Sequence, residues 1–304
     1  MTSRASRPVI IEAALNGGRT PADNPHVPVT TEALVADALA CLDAGAAVIH
    51  THAPERTSDP ARAAEQYLAH YQPVLDVRPD ALLYPTIVFD TGVEDRIEHL
   101  RLLADEGAIR IGLMEPGSGS FVGTGDDGLP VPRDGAYVNT PADVRYMADR
   151  CRDWRLGPSM VIFEPGFLQH ALAYVRAGRM PAGVFARLTL CGGQSNRGPG
   201  LVDLLFGLPS SPRSLDVYLD LLGDAPMPWA VSVVSGDVFA DGVATHAVER
   251  GGHLRVGLED HAGPEQPTNV ELVERAVALV ESLGHRVASC AEAADILGLP
   301  EPSR

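Results

Sequence analysis

Short apolar runs alternate with longer amphipathic segments from one end of the chain to the other. The runs fall at about 8–16, 46–53, 82–88, 109–114, 159–164, 184–191, 228–234 and 254–259, and they have the length and apolar density of strands buried on both faces. The segments between them repeat their apolar residues with a helical period. They predict helices over about 31–44, 61–77, 94–106, 141–154, 166–178, 213–222, 238–250 and 269–284. Eight strand–helix repeats with no break in composition predict an α/β fold, one (β/α)8 barrel domain over residues 1–304, rather than two doubly wound domains. A dinucleotide-binding fold would place GxGxxG after the first strand, and Asn16-Gly17-Gly18-Arg19 does not supply it. Residues 287–300 predict a short terminal helix outside the barrel.

The strand period also locates candidate chemistry. Side chains two apart on a strand point the same way, so Ala46-Ala47-Val48-Ile49-His50-Thr51-His52 brings two imidazoles side by side at its C-terminal end. In the eighth run, Leu254-Arg255-Val256-Gly257-Leu258-Glu259-Asp260, alternation puts Arg255, Gly257 and Glu259 on one face. With that face inward, Glu259 joins the histidine pair. Two histidines and one carboxylate leave open positions on a divalent ion, an arrangement that polarises carbonyls in catalytic zinc sites and that also suits Fe(II), Mn(II) or Co(II).

Arg255 would then be a buried guanidinium, which needs an anionic partner; Asp260 or a bound anion is expected, the alternative being a structural ion pair at the bottom rim. Glu12 and Asn16 share a face of the first strand, and Glu12 is expected to balance Arg255 rather than to act chemically. Glu164 ends the fifth strand, where carboxylates commonly hold substrate or orient a ligand. Two segments are longer than a barrel needs, 115–139 after strand four and 192–212 after strand six. Both follow strand C-termini, the face where barrels carry their active sites.

Composition narrows the chemistry. The 304 residues include no lysine, so all 24 basic side chains are arginine. Schiff-base aldolase chemistry, pyridoxal-phosphate catalysis and a P-loop are excluded, because arginine supplies no deprotonatable amine. A formal charge of −16 argues against nucleic acid as a partner. Cys41, Cys151, Cys191 and Cys290 are widely spaced, which indicates neither a disulfide framework nor a thiolate metal site and fits a reduced cytoplasmic setting. The N-terminus lacks the apolar core of a signal peptide, and no segment approaches eighteen uninterrupted apolar residues, so no membrane partner is expected.

Three blocks carry a resemblance: Ile11-Glu12-Ala13-Ala14-Leu15-Asn16-Gly17-Gly18, Gly45-Ala46-Ala47-Val48-Ile49-His50-Thr51-His52, and Gly251-Gly252-His253-Leu254-Arg255-Val256-Gly257-Leu258-Glu259-Asp260. With them the chain resembles the β-keto acid cleavage enzyme family, of which 3-keto-5-aminohexanoate cleavage enzyme is the best-known type. The resemblance covers nearly the whole chain. It implies a zinc-dependent, homotetrameric barrel that condenses a β-keto acid with acetyl-CoA and splits the product into acetoacetate and a new acyl-CoA. Carried over residue by residue, His50, His52 and Glu259 match the metal ligands. Arg255 and Asp260 match the pair that activates the keto acid for proton removal, and Thr86 falls at or beside a substrate-bonding serine.

The departures bear on substrate. Amine-recognising members have a glutamate just after the first-strand loop, where this chain has Arg19, so an anionic or neutral polar side chain is expected. Strand four offers Arg110-Ile111-Gly112 where a substrate-binding threonine is implied, which makes Arg110 a substrate candidate alongside Arg19, Asn16 and Glu164. Arg197 is a candidate for CoA phosphate. Two other readings stay open: a class II metal aldolase or lyase that needs no CoA, and a barrel that binds metal or ligand without turnover. A metal hydrolase of the amidohydrolase type would put HxH on the first strand and histidines at the ends of strands five and six, where this chain has Glu164 and Cys191.

Overall fold

A computed structural model describes residues 6–131, 136–193 and 204–301. Eight parallel strands form one sheet: β1 (Ile11–Ala14), β2 (Val48–Thr51), β3 (Leu82–Pro85), β4 (Ile111–Leu113), β5 (Gly157–Ile162), β6 (Phe185–Cys191), β7 (Trp229–Val234) and β8 (His253–Val256). Their order is β3-β2-β1-β8-β7-β6-β5-β4. The end strands β3 and β4 pack side by side without ladder hydrogen bonds among the described residues, so the sheet curls into a nearly closed (β/α)8 barrel.

Each strand is followed by a helix: α1 (Thr31–Ala44), α2 (Pro60–Val77), α3 (Val93–Asp105), α4 (Pro141–Asp153), α5 (Pro165–Arg176), α6 (Pro212–Leu222), α7 (Val243–Glu249) and α8 (Asn269–Ser282), with α9 (Cys290–Leu297) last. The helices start where the sequence supplies caps. Thr140, Thr268 and Ser289 each form a reciprocal capping box with the acidic residue three positions on.

Two predicted elements differ from the structure. The 238–250 segment is α-helical only over Val243–Glu249, after a 3-10 turn at Ala240–Gly242, because Asp241 (φ +54°) and Gly242 (φ +74°) adopt left-handed backbone that interrupts it. The first run divides at Ile10. Pro8–Val9 pairs in parallel with Arg286–Val287 outside the barrel, and only Ile11–Ala14 enters the ring.

Strand register then sets what meets inside. Arg255 lies opposite Glu12, Ala14 opposite His50, and His50 opposite Tyr84. Gly257 (φ +133°) makes the first of these approaches possible, since a Cβ there would stand 2.1 Å from the Ala14 carbonyl oxygen. All four cysteines are free and buried. No helix among the described residues is long and apolar enough to cross a membrane.

Three packed histidines fix an acid limit on stability. Burial lowers His70 and His99 to about 4, and His253 to about 3, from an ordinary 6.5. As pH falls below about 6.5 the unfolded chain takes up protons that these folded imidazoles refuse, so stability falls with pH down to about 4, by about 1.4 kcal/mol per histidine per pH unit. Urea unfolding at pH 7 and pH 5 should show a clearly lower midpoint at pH 5. Equal midpoints would mean that the three rings accept protons in the folded protein.

Candidate active site

The site is built from the C-terminal ends of β1, β2, β3 and β8. Beyond the last ladder bonds of β2, Asn16 extends the pairing with its side chain: the His52 amide donates to Asn16 Oδ1 (2.8 Å) and Asn16 Nδ2 donates to the His52 carbonyl (3.1 Å). His50 stacks on the Tyr84 ring at 4.5 Å, and its Nδ1 donates to the Tyr84 carbonyl (3.2 Å). That bond commits the ring proton to Nδ1 and leaves Nε2 a lone pair.

Glu259 approaches from β8, with Oε2 3.3 Å from His50 Nε2 and Oε1 3.6 Å from His52 Nε2. It can do so because Gly17 (φ +54°) has no side chain; a Cβ there would stand 2.4 Å from Glu259 Cγ.

Electrostatics sharpen the arrangement. Burial, helped by the Arg255, His52 and Arg187 charges, holds His50 well below the usual imidazole range despite Glu259 nearby. Burial pushes the Glu259 carboxyl up, but the Arg255 guanidinium, foremost among the groups that lower it, outweighs this, and the group lies well below the usual carboxylate range. A neutral Nε2 and an ionised carboxylate oxygen therefore face each other with no proton to share, and Glu259 Oε2 is buried without a hydrogen-bond partner. Donor atoms of His50, His52 and Glu259 all lie within 4.8 Å of one another. Two imidazoles and a carboxylate so disposed fit a divalent cation.

Beneath the triad lies a buried charge cluster. Arg255, 5% exposed, donates through Nε to Asp260 Oδ2 (2.7 Å) and through Nη1 to Glu12 (2.6 Å), and its Nη2 pairs with Glu259 at 3.0 Å. Glu12 also accepts from the Tyr84 hydroxyl, which in turn accepts from Arg187. Burial raises the Asp260 carboxyl in spite of the guanidinium against it.

Sequence reasoning missed Arg187 and Tyr84. The signal was present for Arg187, a lone charge inside the run Phe185–Cys191, whose seven residues are all buried. Tyr84 gave none, because an aromatic in a strand is ordinary core.

The triad opens into a cavity of about 950 Å³ whose lining includes Asn16, Arg19, His52, Thr86, Glu115, Arg187, Arg255, Glu259 and Asp260. Thr86 is held at both ends of its peptide: its amide donates to Tyr67 Oη (3.3 Å) and its carbonyl accepts from His99 Nε2 (2.8 Å). Arg19 enters from the loop after β1 and donates to the carbonyls of Leu258 (2.9 Å) and His261. The far wall is aromatic. Phe121, Tyr137, Phe163 and Phe206 meet edge to face, with centroids 4.7–5.9 Å apart.

Two expected substrate residues are not brought to the cavity. Arg110 immediately precedes β4, and therefore sits at the opposite end of the barrel. There it donates to the carbonyls of Leu299 (3.2 Å) and Pro300 (3.1 Å). Glu164 caps the start of α5 and accepts from the Gly207 amide (2.8 Å), which fixes the loop carrying Phe206. Arg197 lies outside the described residues, as does part of the 192–212 segment.

A family model for beta-keto acid cleavage enzymes matches residues 8–299. The chain belongs to the β-keto acid cleavage enzyme family. The 3-keto-5-aminohexanoate cleavage enzyme of Acetoanaerobium sticklandii is 27% identical over 300 residues, covering 96% of this chain and 98% of that one. A 3-dehydrocarnitine:acetyl-CoA trimethylamine transferase of Rhizobium meliloti is 28% identical, covering 93% of each chain. A 3-oxoadipate:acetyl-CoA acetyltransferase of Cupriavidus necator is 27% identical, covering 97% of this chain and 96% of that one. Among solved structures, ObcA in a binary complex with oxaloacetate superposes with a TM-score of 0.66 at 18% identity, over 91% of this chain and 68% of that one. A 3-dehydroquinate dehydratase from Geobacillus kaustophilus superposes with a TM-score of 0.54 at 11% identity, over 90% and 91%. At such identities the superpositions establish the barrel alone. As a β-keto acid cleavage enzyme, the chain is a carbon–carbon bond-cleaving enzyme.

The charge cluster of this family member gives a stability prediction. Glu12→Leu removes the anion shared by Arg255 and Arg187 and leaves two guanidiniums buried side by side. The expected loss is about 3–5 kcal/mol, read as a lower urea midpoint at pH 7. A variant as stable as the parent would show that Glu12 does not neutralise the cluster.

Proposed function

We propose that this β-keto acid cleavage enzyme uses a divalent metal, zinc by preference, and acetyl-CoA to convert a β-keto acid into acetoacetate and a new acyl-CoA. The observation that carries the reading is the meeting of His50, His52 and Glu259 with the Arg255–Asp260 pair at the mouth of one cavity. His50, His52 and Glu259 would hold the cation, which supplies Lewis-acid polarisation of the keto acid's oxygens.

The side chains do the rest. Asp260, gripped by Arg255, takes the proton from the acidic carbon. Arg255 keeps that carboxyl turned to the cavity while neutralising the charge around it. Thr86, its backbone fixed by Tyr67 and His99, turns its hydroxyl to the substrate, and Asn16 holds the histidine strand in place. The carbon nucleophile forms a bond to the acetyl carbonyl carbon as the C–S bond to CoA breaks. The released thiol then attacks the ketone of the condensed product, and C–C cleavage yields acetoacetate and the new thioester. No amine nucleophile is needed, in keeping with a chain without lysine.

The keto acid of this reading carries an anionic or neutral polar side chain. Arg19 lines the cavity, makes no ion pair among the described residues, and has a buried Nε–H without a partner. Arg19→Glu should lower kcat/KM for a 3-oxo-dicarboxylic acid about 100-fold and raise it for an amino-substituted keto acid, the change expected when one charge in a binding site is reversed. Parent kinetics that favour amino-substituted keto acids would remove the anionic assignment.

Metal analysis joined to a coupled assay tests the reaction itself. About one equivalent of zinc per chain is expected, with acetoacetate release that needs acetyl-CoA and is lost on chelation and restored by Zn²⁺. Turnover without CoA would favour a metal aldolase, and metal binding without turnover on a panel of β-keto acids would favour a ligand-binding barrel. A cytoplasmic homotetramer completes the proposal, and sedimentation of the purified chain checks the assembly.

A further inference from the structure

Across the barrel from Glu259, the long segment after β4 brings a second acid to the cavity. Glu115 is 6% exposed and lines the wall. Its Oε2 accepts from the Tyr137 hydroxyl, and both residues belong to the cavity lining. The segment is braced for this. Gly119 and Tyr137 exchange backbone hydrogen bonds of 2.9 Å, and Asn139 Nδ2 donates to the Gly117 carbonyl (3.0 Å). Arg96 donates to Asn139 Oδ1 (2.6 Å), and His170 Nδ1 donates to the Pro116 carbonyl (2.9 Å). Gly117 packs so closely on Phe167 that a Cβ would stand 2.3 Å from the ring.

The charged and titratable groups facing Glu115 are Tyr137 from its own segment, Arg187 from β6, Arg96 from α3 and Arg255 from β8. Burial raises its proton affinity, and neither the tyrosine hydrogen bond nor the three guanidiniums reverse that. The carboxyl therefore keeps its proton, and with it the capacity to donate a hydrogen bond, to a higher pH than a free glutamate does. Arg255 is engaged by Glu12, Glu259 and Asp260, and Arg187 Nη1 by Tyr84 and Glu12, while Arg187 Nε is buried without a hydrogen-bond partner.

The reaction proposed above needs such a donor. When the carbon nucleophile bonds to the acetyl carbonyl carbon, the C=O π pair moves onto oxygen, and it returns as the C–S bond breaks and thiolate leaves. A donor that meets that oxygen contributes most in a dry site. We propose that Glu115, oriented by Tyr137, is a further catalytic residue, whose carboxyl donates a hydrogen bond to the thioester carbonyl oxygen while the carbon–carbon bond forms. The inference rests on the acetyl-CoA reading of the function. It assigns the triad face to the keto acid and the β4 face to the thioester.

Two reactions of the zinc-loaded protein separate these faces. Deuterium exchange at the acidic carbon of the keto acid in D₂O, without acetyl-CoA, needs the triad, Arg255 and Asp260 but not Glu115; acetoacetate formation needs both faces. Glu115→Ala should lower acetoacetate formation about 100-fold or more and leave exchange within about threefold of the parent. Glu115→Gln, whose amide still donates, should recover most of that loss.

The pH profile adds a signature that a structural role would not give. Only the protonated acid donates, so the parent rate falls as pH rises through the Glu115 pKa. Glu115→Gln should lack that limb. Tyr137→Phe, by removing a hydrogen bond that favours the ionised form, should move it to higher pH.

Parallel loss of exchange and acetoacetate formation in Glu115→Ala would overturn the proposal, as would a glutamine variant no better than alanine or one that keeps the limb. A parent that catalyses exchange but forms no acetoacetate with acetyl-CoA would overturn the functional reading, and this inference with it.

Discussion

One buried guanidinium organises the candidate active site. Arg255 stands inside the barrel with almost no access to water, a position that is strongly unfavourable for a cation left alone. Three carboxylates from two adjacent strands surround it: Glu12 opposite in register, and Glu259 and Asp260 just beyond on its own strand. Each needs the arginine as much as the arginine needs them. The Glu259 carboxyl is the clearest case, since burial alone would favour its protonated form and the guanidinium keeps it ionised. Charge balance in the cluster and the ionisation of Glu259 are therefore a single interaction seen from two ends.

From that constraint the local backbone follows. A strand that ends in Glu259 and Asp260 must bend back over β1 to bring both carboxylates onto Arg255, and Gly257 and Gly17 are where side chains would block the path. Asn269, the first residue of α8, secures the bend by accepting from the Leu258 amide (2.8 Å) and donating to the Leu15 carbonyl (2.9 Å). Asn16 does the equivalent for the histidine strand. Two asparagines thus replace ladder bonds just where the ladder stops, and hold the donor atoms with little freedom to relax.

The parts of this site carried by regular strands were legible in the sequence. His50-Thr51-His52 and Arg255-Val256-Gly257-Leu258-Glu259-Asp260 are short strand blocks in which a period of two gives side-chain direction directly, and a family pattern covers both. Arg110 was misjudged because a strand block gives direction but not height. A residue preceding a strand lies a full barrel length from the catalytic mouth. Glu115 and Tyr137 lie 22 residues apart in an irregular segment with no period to connect them. The Tyr84 hydroxyl and Arg187 meet only because β3 and β6 face each other across a barrel interior, a relation that follows from closure and not from local pattern.

The same division separates what the barrel fixes from what its rim can vary. The triad and the cluster beneath it are tied to strand register, and any change there disturbs several partners at once. Arg19, Phe121, Tyr137 and Phe206 come instead from segments after β1, β4 and β6, and they line the cavity from outside the strand ladder. Among the described residues Arg19 donates to backbone carbonyls and makes no ion pair, so its replacement leaves none of their buried carboxylates unpaired. A change of charge at that position therefore costs the fold little while reversing the sign of one side chain in the cavity wall. The rim of such a barrel can change with little effect on the fold, whereas the cluster at its centre is held by the mutual dependence of Arg255, Glu12, Glu259 and Asp260.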